Sequence, residues 1–530
     1  MKRSMEKKYE HLSPFELKNK LIEMAESDHE RMMLNAGRGN PNWLAVTPRA
    51  GFFLFGQFAL QEAERVYIRP GFAKSPEKKN IAKRFKVFLA KHSKKEGASF
   101  LKQAFFYVTR GLKMNADEFV FEMTDAILAD HYPTPDRMLS CCEKIVRRYL
   151  IQEMCKDKKG FEKMDLFATE GGTAAMTYVF NTLMENKLLH KGDKIALGSP
   201  IFTPYLEIPR LNDFNFVELE IKQDENNHWQ YSDSEIKKLE NPKVKAFFLV
   251  HPSNPTSVAI HEKTLQKIAA LVKKRKDLIL LTDDVYGTFV NKFQSLIAIA
   301  PKNTILVYSF SKYFGATGWR LGVIGINHQN AFDKKIAKLS GQDKKALYKR
   351  YESVVIDPNK MKLIDRMVAD SRTVALNHTA GLSTPQQVMM TFFSLFGLLD
   401  KKNDYKKKAQ DIVHKRIRTL YQSLKIDLKE TLYDANYYTT IDIPKVAEEH
   451  YGKAFKDFLI KHEPIDFVIR LAKEKGVVLL DGGGFDAPKM SIRVSLANLT
   501  DEAYANIGKK VRELLLDYYK TFKKNKNDLD

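Results

Sequence analysis

The chain has 530 residues, 44% of them hydrophobic, and carries 87 basic against 65 acidic side chains, a formal net charge of +22. That length allows a large core and more than one domain. The basic excess is dispersed through stretches such as KKIAKL and KTFKKNKNDLD, with no recognised nucleic-acid module, so small molecules rather than nucleic acid are the expected partners.

In chain order, the first segment, MKRSMEKKYEHLSPFELKNK, lacks the apolar core of a signal peptide, and a helix is predicted after Ser13-Pro14. The loop NAGRGNPNW follows, marked by its glycines, asparagines and Pro41. Residues 52–130 read as mainly helical, with Lys-rich polar faces and a break at Gly97. Cys141, Cys142 and Cys155 show no CxxC spacing; they read as buried thiols of a reducing cytoplasm, and no metal site is expected. From about 145 to 325, helical runs alternate with the short apolar strands KIALGSP, FNFVELEI, VKAFFLVHPSNP, LILLTDDVY, TILVYSFSK and RLGVIGI. These are too short to span a bilayer, so no membrane is expected. The alternation predicts an α/β domain with a mostly parallel sheet, whose ligands bind beyond the carboxyl ends of the strands. Residues 330–380 are again helical and charged. From about 385, a long helix, the strands YYTTIDI, VVLLDG and MSIRVSL, and closing helices predict a smaller α+β domain.

The polar motifs sit where the strands end. Lys312 follows TILVYSFS, and desolvation or nearby cations can turn such a lysine into a nucleophile able to form a Schiff base with an aldehyde. Ser309 and Ser311 alternate along the strand end and so face one side, and Arg320 offers a fork suited to phosphate. An amine beside a phosphate site fits pyridoxal phosphate. Gly171, Gly172 and Thr173 open a helical run and make a second anion cradle, although a Gly-Gly turn before a helix is commonplace. The pyridine ring needs a carboxylate at its nitrogen, and Asp283 or Asp284, on opposite faces of a strand end, can supply it. Tyr286 and Asn254 can reach the ring's phenolic oxygen, and Phe202 either stacks on the ring or belongs to the core. Arg493 lies inside an apolar strand, where it either grips a substrate carboxylate or sits in a structural ion pair.

Together these pieces resemble the fold-type I aminotransferases, matching in order with EGGT, SPIF, SNPT, DDVY, SFSK, GWRLG and SIRVS over about residues 130–325 and 380–515. The resemblance implies pyridoxal 5′-phosphate linked to Lys312, with Asp283 at the ring nitrogen and Tyr286 and Asn254 at the phenolic oxygen. Gly171, Gly172, Thr173, Ser309, Ser311 and Arg320 would surround the phosphate, and Arg493 the substrate α-carboxylate. The family usually has glutamate where this chain has Asp284, a change that leaves the ring contact intact. It also implies a seven-stranded, mostly parallel sheet flanked by helices, with a smaller α+β domain and helical insertions. On that reading residues 1–50 form an arm of the small domain and 51–130 a helical insertion. Residues 131–380 form the large domain, with an insertion at 330–375, and 381–530 complete the small domain.

The two helical insertions, with NAGRGNPNW and HYPTPDRM, look like the aspartate 4-decarboxylase branch. This implies conversion of L-aspartate to L-alanine and CO2 together with aspartate aminotransfer to 2-oxoglutarate. It further implies that Tyr132 reaches the phosphate of a neighbouring subunit, within homodimers assembled into a larger homo-oligomer, a dodecamer by resemblance. Arg38, in the N-terminal loop, is the candidate neighbour of the substrate β-carboxylate. The alternatives are an aminotransferase without significant decarboxylation and a ligand-sensing regulator on the same fold. Lys312 and the lack of a helix-turn-helix pattern count against the regulator.

Overall fold

The apolar runs of the middle of the chain become one twisted sheet. The computed structural model describes residues 3–26, 33–66, 68–69, 71–157, 162–372 and 380–527. Its strands are β1 (Leu34–Asn35), β2 (Met164–Thr169), β3 (Lys194–Ser199), β4 (Val217–Asp224), β5 (Gln230–Tyr231), β6 (Val244–Val250) and β7 (Ile279–Asp283). They continue with β8 (Thr304–Ser309), β9 (Gly322–Asn327), β10 (Tyr438–Asp442), β11 (Val477–Val478), β12 (Leu480–Asp481) and β13 (Ser491–Ser495).

The large sheet has the order β2-β9-β8-β7-β6-β3-β4-β5. Its five inner strands, β8 to β4 in that order, are parallel, and β9 runs antiparallel to both β8 and β2. Seven strands were expected; the eighth, β5, arises because a short 3-10 turn and His228, at φ 48°, fold the chain back onto the end of β4. Burial on both faces explains the near-continuous apolar character of β6, β7 and β8. In β6, Phe247 and Leu249 pack into one buried cluster, while Ala246, Phe248 and Val250 pack into the other. The period-2 geometry of a strand thus divides VKAFFLV between two cores.

The chain before β2 is mainly helical. Helices Val46–Glu64, Ile81–Lys91 and Ala98–Phe106 meet Thr384–Leu399 through an aromatic cluster that includes Phe55, Phe58, Phe85, Phe100 and Phe392. The long helix expected after 385 is in fact two, Thr384–Leu399 and Asp404–Leu424, separated where Asn403 takes φ 55°. The expected closing helices are a single 27-residue helix, Asp501–Asn527. Of the expected insertion at 330–375, helices Ala331–Ile336, Gly341–Tyr351 and Leu363–Ser371 are seen, and 373–375 lie outside the described residues. Among the described residues, no helix is long and apolar enough to cross a membrane.

The C-terminal part carries the antiparallel sheet β10-β13-β12. The N-terminal segment joins it, because β1 pairs in parallel with β11 and helix Pro14–Glu26 packs on helix Asp466–Lys475. The chain then crosses to the loop after β8. There Trp43 Nε1 donates to the Tyr313 carbonyl at 3.2 Å, and Arg49 Nη2 donates to the Gly315 carbonyl at 2.6 Å. Gly315 has φ 59°, and a Cβ on it would lie 1.9 Å from the Trp43 carbonyl oxygen. Both the left-handed backbone and the close approach require glycine. Gly315→Ala should therefore destabilise the protein by on the order of 3 kcal/mol. A melting temperature equal to that of the parent protein would show that the two loops are not locked together in this way.

Candidate active site

The carboxyl ends of β6, β7 and β8 and the N-terminus of helix Gly172–Glu185 open onto one cavity of about 280 Å³. Such a crevice is where open α/β sheets bind ligands. Every site residue singled out in the sequence lines it except Gly171, Asp284, Arg38 and Tyr132. A larger cavity, about 740 Å³, lies by Asp481 and Pro488 and shares none of these groups, so chemistry rather than size marks the site.

Lys312, just beyond β8, points its amine at the N-terminal loop, donating to the Gly39 carbonyl at 3.0 Å. The same carbonyl accepts from the Tyr437 hydroxyl at 2.9 Å. Ser309 Oγ donates to Ser311 Oγ at 2.9 Å, placing both hydroxyls on one side as the strand period requires. Facing them are the first turn of helix Gly172–Glu185 and Arg320, whose Nη1 donates to the Thr317 carbonyl at 3.1 Å. Gly171, at φ 95°, does not line the cavity but makes room for it, since a Cβ there would lie 2.3 Å from Arg320 Nη2. Hydroxyls, a guanidinium and the positive end of a helix make an anion cradle.

The adjacent carboxyls at the end of β7 behave differently. Asp283 faces the cavity and accepts from the Tyr205 hydroxyl at 2.5 Å. Burial raises its pKa to about 6, with the Tyr205 bond, the Val285 amide and the Lys312 charge pulling the other way. Asp284 faces the opposite side and accepts from Thr282. Burial raises it further, to about 8, so at neutral pH Asp283 is ionised and Asp284 is mostly neutral.

Arg493, in the middle of β13 and 1% exposed, donates to the Gly37 carbonyl at 2.9 Å and to Asn254 Oδ1 at 3.3 Å. Its Nε has no partner, and its guanidinium lies over the rings of Tyr438 and Phe485, with no carboxylate paired to it. The structural ion pair weighed from the sequence is absent among the described residues; carbonyls and rings hold the charge. Phe202 lines the cavity with its ring edge-on to Phe15 and Tyr205.

Two candidates fall outside. Arg38 is exposed and absent from the lining, because the carbonyls of Gly37 and Gly39 turn inward to Arg493 and Lys312. Tyr132 is 63% exposed and far from lining this chain's own cavity. The sequence reading missed Tyr205, Tyr438 and the Gly39 carbonyl. Tyr205 follows Phe202 by three residues at the start of a helix, a spacing that placed it within reach. Tyr438 carried no comparable signal.

The donor set fits pyridoxal phosphate on its own terms. A buried carboxylate with one oxygen committed to Tyr205 suits a pyridinium N–H, a half-buried amine suits an aldehyde, and the cradle suits a phosphate.

The raised carboxyls have a consequence for stability. Their folded pKa values lie above the ordinary range of about 4, so the stability they contribute is complete below that range and is lost as pH rises through about 6 for Asp283 and about 8 for Asp284. The melting temperature of the cofactor-free protein should fall between pH 5 and pH 9. Asp284→Asn, which mimics the neutral carboxyl, should flatten the upper part of that fall; an identical pH dependence in both proteins would show that Asp284 is ionised throughout.

Residues 129–511 match the model for aminotransferase class I and II. Over 516 residues, 97% of each chain, the sequence is 49% identical to a bifunctional aspartate aminotransferase and L-aspartate beta-decarboxylase of Pseudomonas sp. It is 30% identical over 169 residues to an aspartate aminotransferase of Pyrococcus horikoshii, covering 31% of this chain and 42% of that protein. The fold is that of solved aspartate aminotransferases from Thermus thermophilus (TM-score 0.58, 15% identity, 94% of each chain) and Thermotoga maritima (TM-score 0.58, 17% identity, 95% of this chain and 97% of that one). The chain belongs to the class I and II aminotransferases, enzymes that work with pyridoxal 5′-phosphate.

Proposed function

We propose that this protein converts L-aspartate to L-alanine and CO2 and also transaminates aspartate. The carrying observation is that a chain similar end to end to a bifunctional enzyme gathers Lys312, Asp283 and Arg493 around one cavity. When bound there, pyridoxal phosphate supplies an electron sink on which both amino-group transfer and release of the β-carboxylate draw.

The protein's own contribution is positioning and proton handling. Ser309, Ser311, Arg320, Thr173 and the amide of Gly172 would hold the phosphate, in the room that Gly171 leaves, and Asp283, kept in place by Tyr205, would keep the ring nitrogen protonated. Tyr286 and Asn254 would address the phenolic oxygen, and Phe202, which lines the same cavity, would pack against the ring. Arg493 receives the substrate α-carboxylate; its unpartnered Nε and its lack of a protein carboxylate support that role. Lys312 Nζ takes the proton from the substrate Cα as general base and returns one to the product.

The β-carboxylate must not be gripped, because an ion pair to the charged ground state opposes its loss as neutral CO2. An exposed Arg38 near the cavity, outside its lining, attracts a dicarboxylate substrate without clamping it. Leu44, Val46, Phe53 and Leu60, all more than half exposed on or just before helix Val46–Glu64, support a homodimer that assembles further, with Tyr132 reaching into a neighbouring copy. Three buried cysteines with no CxxC spacing fit a cytoplasmic location.

The test is to incubate the pyridoxal phosphate-loaded protein with aspartate and quantify alanine, CO2 and oxaloacetate. Alanine and CO2 should form in equal amounts, with oxaloacetate accumulating when 2-oxoglutarate is supplied. Oxaloacetate without CO2 would make the protein an aminotransferase alone. Arg493→Ala should raise the KM for aspartate by about a hundredfold or more while cofactor affinity changes by less than about threefold. Equal losses in both would assign Arg493 a structural role.

A further inference from the structure

Tyr438 opens β10, at the edge of the small sheet, and its hydroxyl reaches the centre of the cavity. It is 2% exposed. The register of β10 against β13 sets Tyr438 opposite Ser495 and Thr440 opposite Arg493, so Tyr438 and Arg493 are diagonal neighbours on one face. The Arg493 guanidinium lies 4.3 Å from the Tyr438 ring centre. The Tyr286 hydroxyl donates to the Tyr438 oxygen at 3.1 Å, and the Tyr438 amide donates to Ser257 Oγ at 3.2 Å. On the far side is Lys312. A Cβ built on Gly39 would lie 2.5 Å from the Tyr438 oxygen and 3.1 Å from Lys312 Nζ, so phenol and amine converge on the same patch of loop backbone.

We propose that Tyr438 is a positioning residue for Lys312, its phenol oxygen accepting a hydrogen bond from the lysine nitrogen whenever that nitrogen is protonated, both when it is free and when it is linked to the cofactor. This rests on reading Lys312 as the cofactor-bearing general base. A lysine that alternates between bound and free needs a fixed place to wait, and it gains positive charge when it takes the Cα proton. An oxygen acceptor beside it favours the charged form. The phenol is suited to the task. Burial raises its pKa, but the Lys312 and Arg493 charges and hydrogen bonds with Tyr286 and Lys312 outweigh burial and bring it down. The neighbouring Tyr286 and Tyr437 hydroxyls are raised instead, chiefly by burial. Tyr438 therefore stands apart as the acceptor among three clustered tyrosines. The proton moves from substrate Cα to Lys312 Nζ and back to the product; Tyr438 holds its own and changes no bond.

Tyr438→Phe separates this role from packing, because the ring and its stack on Arg493 remain. The readout is the pH-dependent absorbance of the lysine-linked cofactor, followed together with steady-state kinetics on aspartate. The midpoint of the absorbance change should move to lower pH by about one unit, since an acceptor for the protonated nitrogen is lost. The kcat should fall by about ten- to a hundredfold, with KM changed by less than about twofold. An unchanged midpoint and kcat would overturn the proposal, and so would a raised KM with kcat and midpoint intact. Incorporating 3-fluorotyrosine at 438 keeps the hydroxyl but weakens it as an acceptor, and should give an intermediate midpoint; a midpoint equal to that of the parent protein counts against the proposal even if the phenylalanine variant fails to fold. Absence of any lysine-linked absorbance in the parent protein would instead sink the reading of Lys312 on which the proposal stands.

Discussion

The carbonyl of Gly39 accepts hydrogen bonds from Lys312, which belongs to the large sheet, and from Tyr437, which adjoins the small one. Two residues earlier, the carbonyl of Gly37 accepts from Arg493. One short loop, running backbone-first between two bodies of structure, thus ties down the amine and the guanidinium that the chemistry needs. The site depends on this loop more than on any side chain from it. That is why it carries glycines: a Cβ at 39 would strike the Tyr438 hydroxyl, and one at 37 would press within 3.3 Å of Lys18.

The second constraint is electrostatic. Asp283 and Arg493 are charged groups almost wholly removed from water, which is costly unless they are paired. Neither is paired with an opposite charge of its own. Asp283 relies on Tyr205, an amide and the nearby Lys312, while Arg493 relies on carbonyls and aromatic faces. Each remains short of a counter-charge that a ligand can bring, a pyridinium in one case and a carboxylate in the other. Such incompletely satisfied groups mark a functional site better than the size of the cavity does. The larger cavity by Asp481 has no comparable convergence of amine, carboxylate and guanidinium.

Much of this was legible in the sequence because the relevant elements are local. A strand followed by a polar end reads directly, so SFSK, DDVY and SNPT could be placed at strand ends, and eleven of the singled-out residues converge there. The division of Asp283 and Asp284 between faces follows from the strand period alone. What was not legible depends on distant parts of the chain meeting. Arg38 was chosen as a side chain, yet the loop acts through its backbone, and no pattern in NAGRGNPNW announces which carbonyls turn inward. Tyr438 looked like one more apolar position in YYTTIDI, and only the pairing of β10 with β13 brings it to Lys312 and Arg493. The split of the long helix at Asn403 and the two-residue strand β5 were missed for a smaller reason, a left-handed residue at each turn.

The proposed chemistry rests on attachment of the cofactor at Lys312. Borohydride reduction of the pyridoxal phosphate-loaded protein, followed by proteolysis and peptide mass mapping, tests it most directly. The reduced cofactor should be found on one peptide, at Lys312, in a stoichiometry of about one per chain. Attachment at another lysine, or no attachment to a protein that nevertheless turns over aspartate, would contradict it.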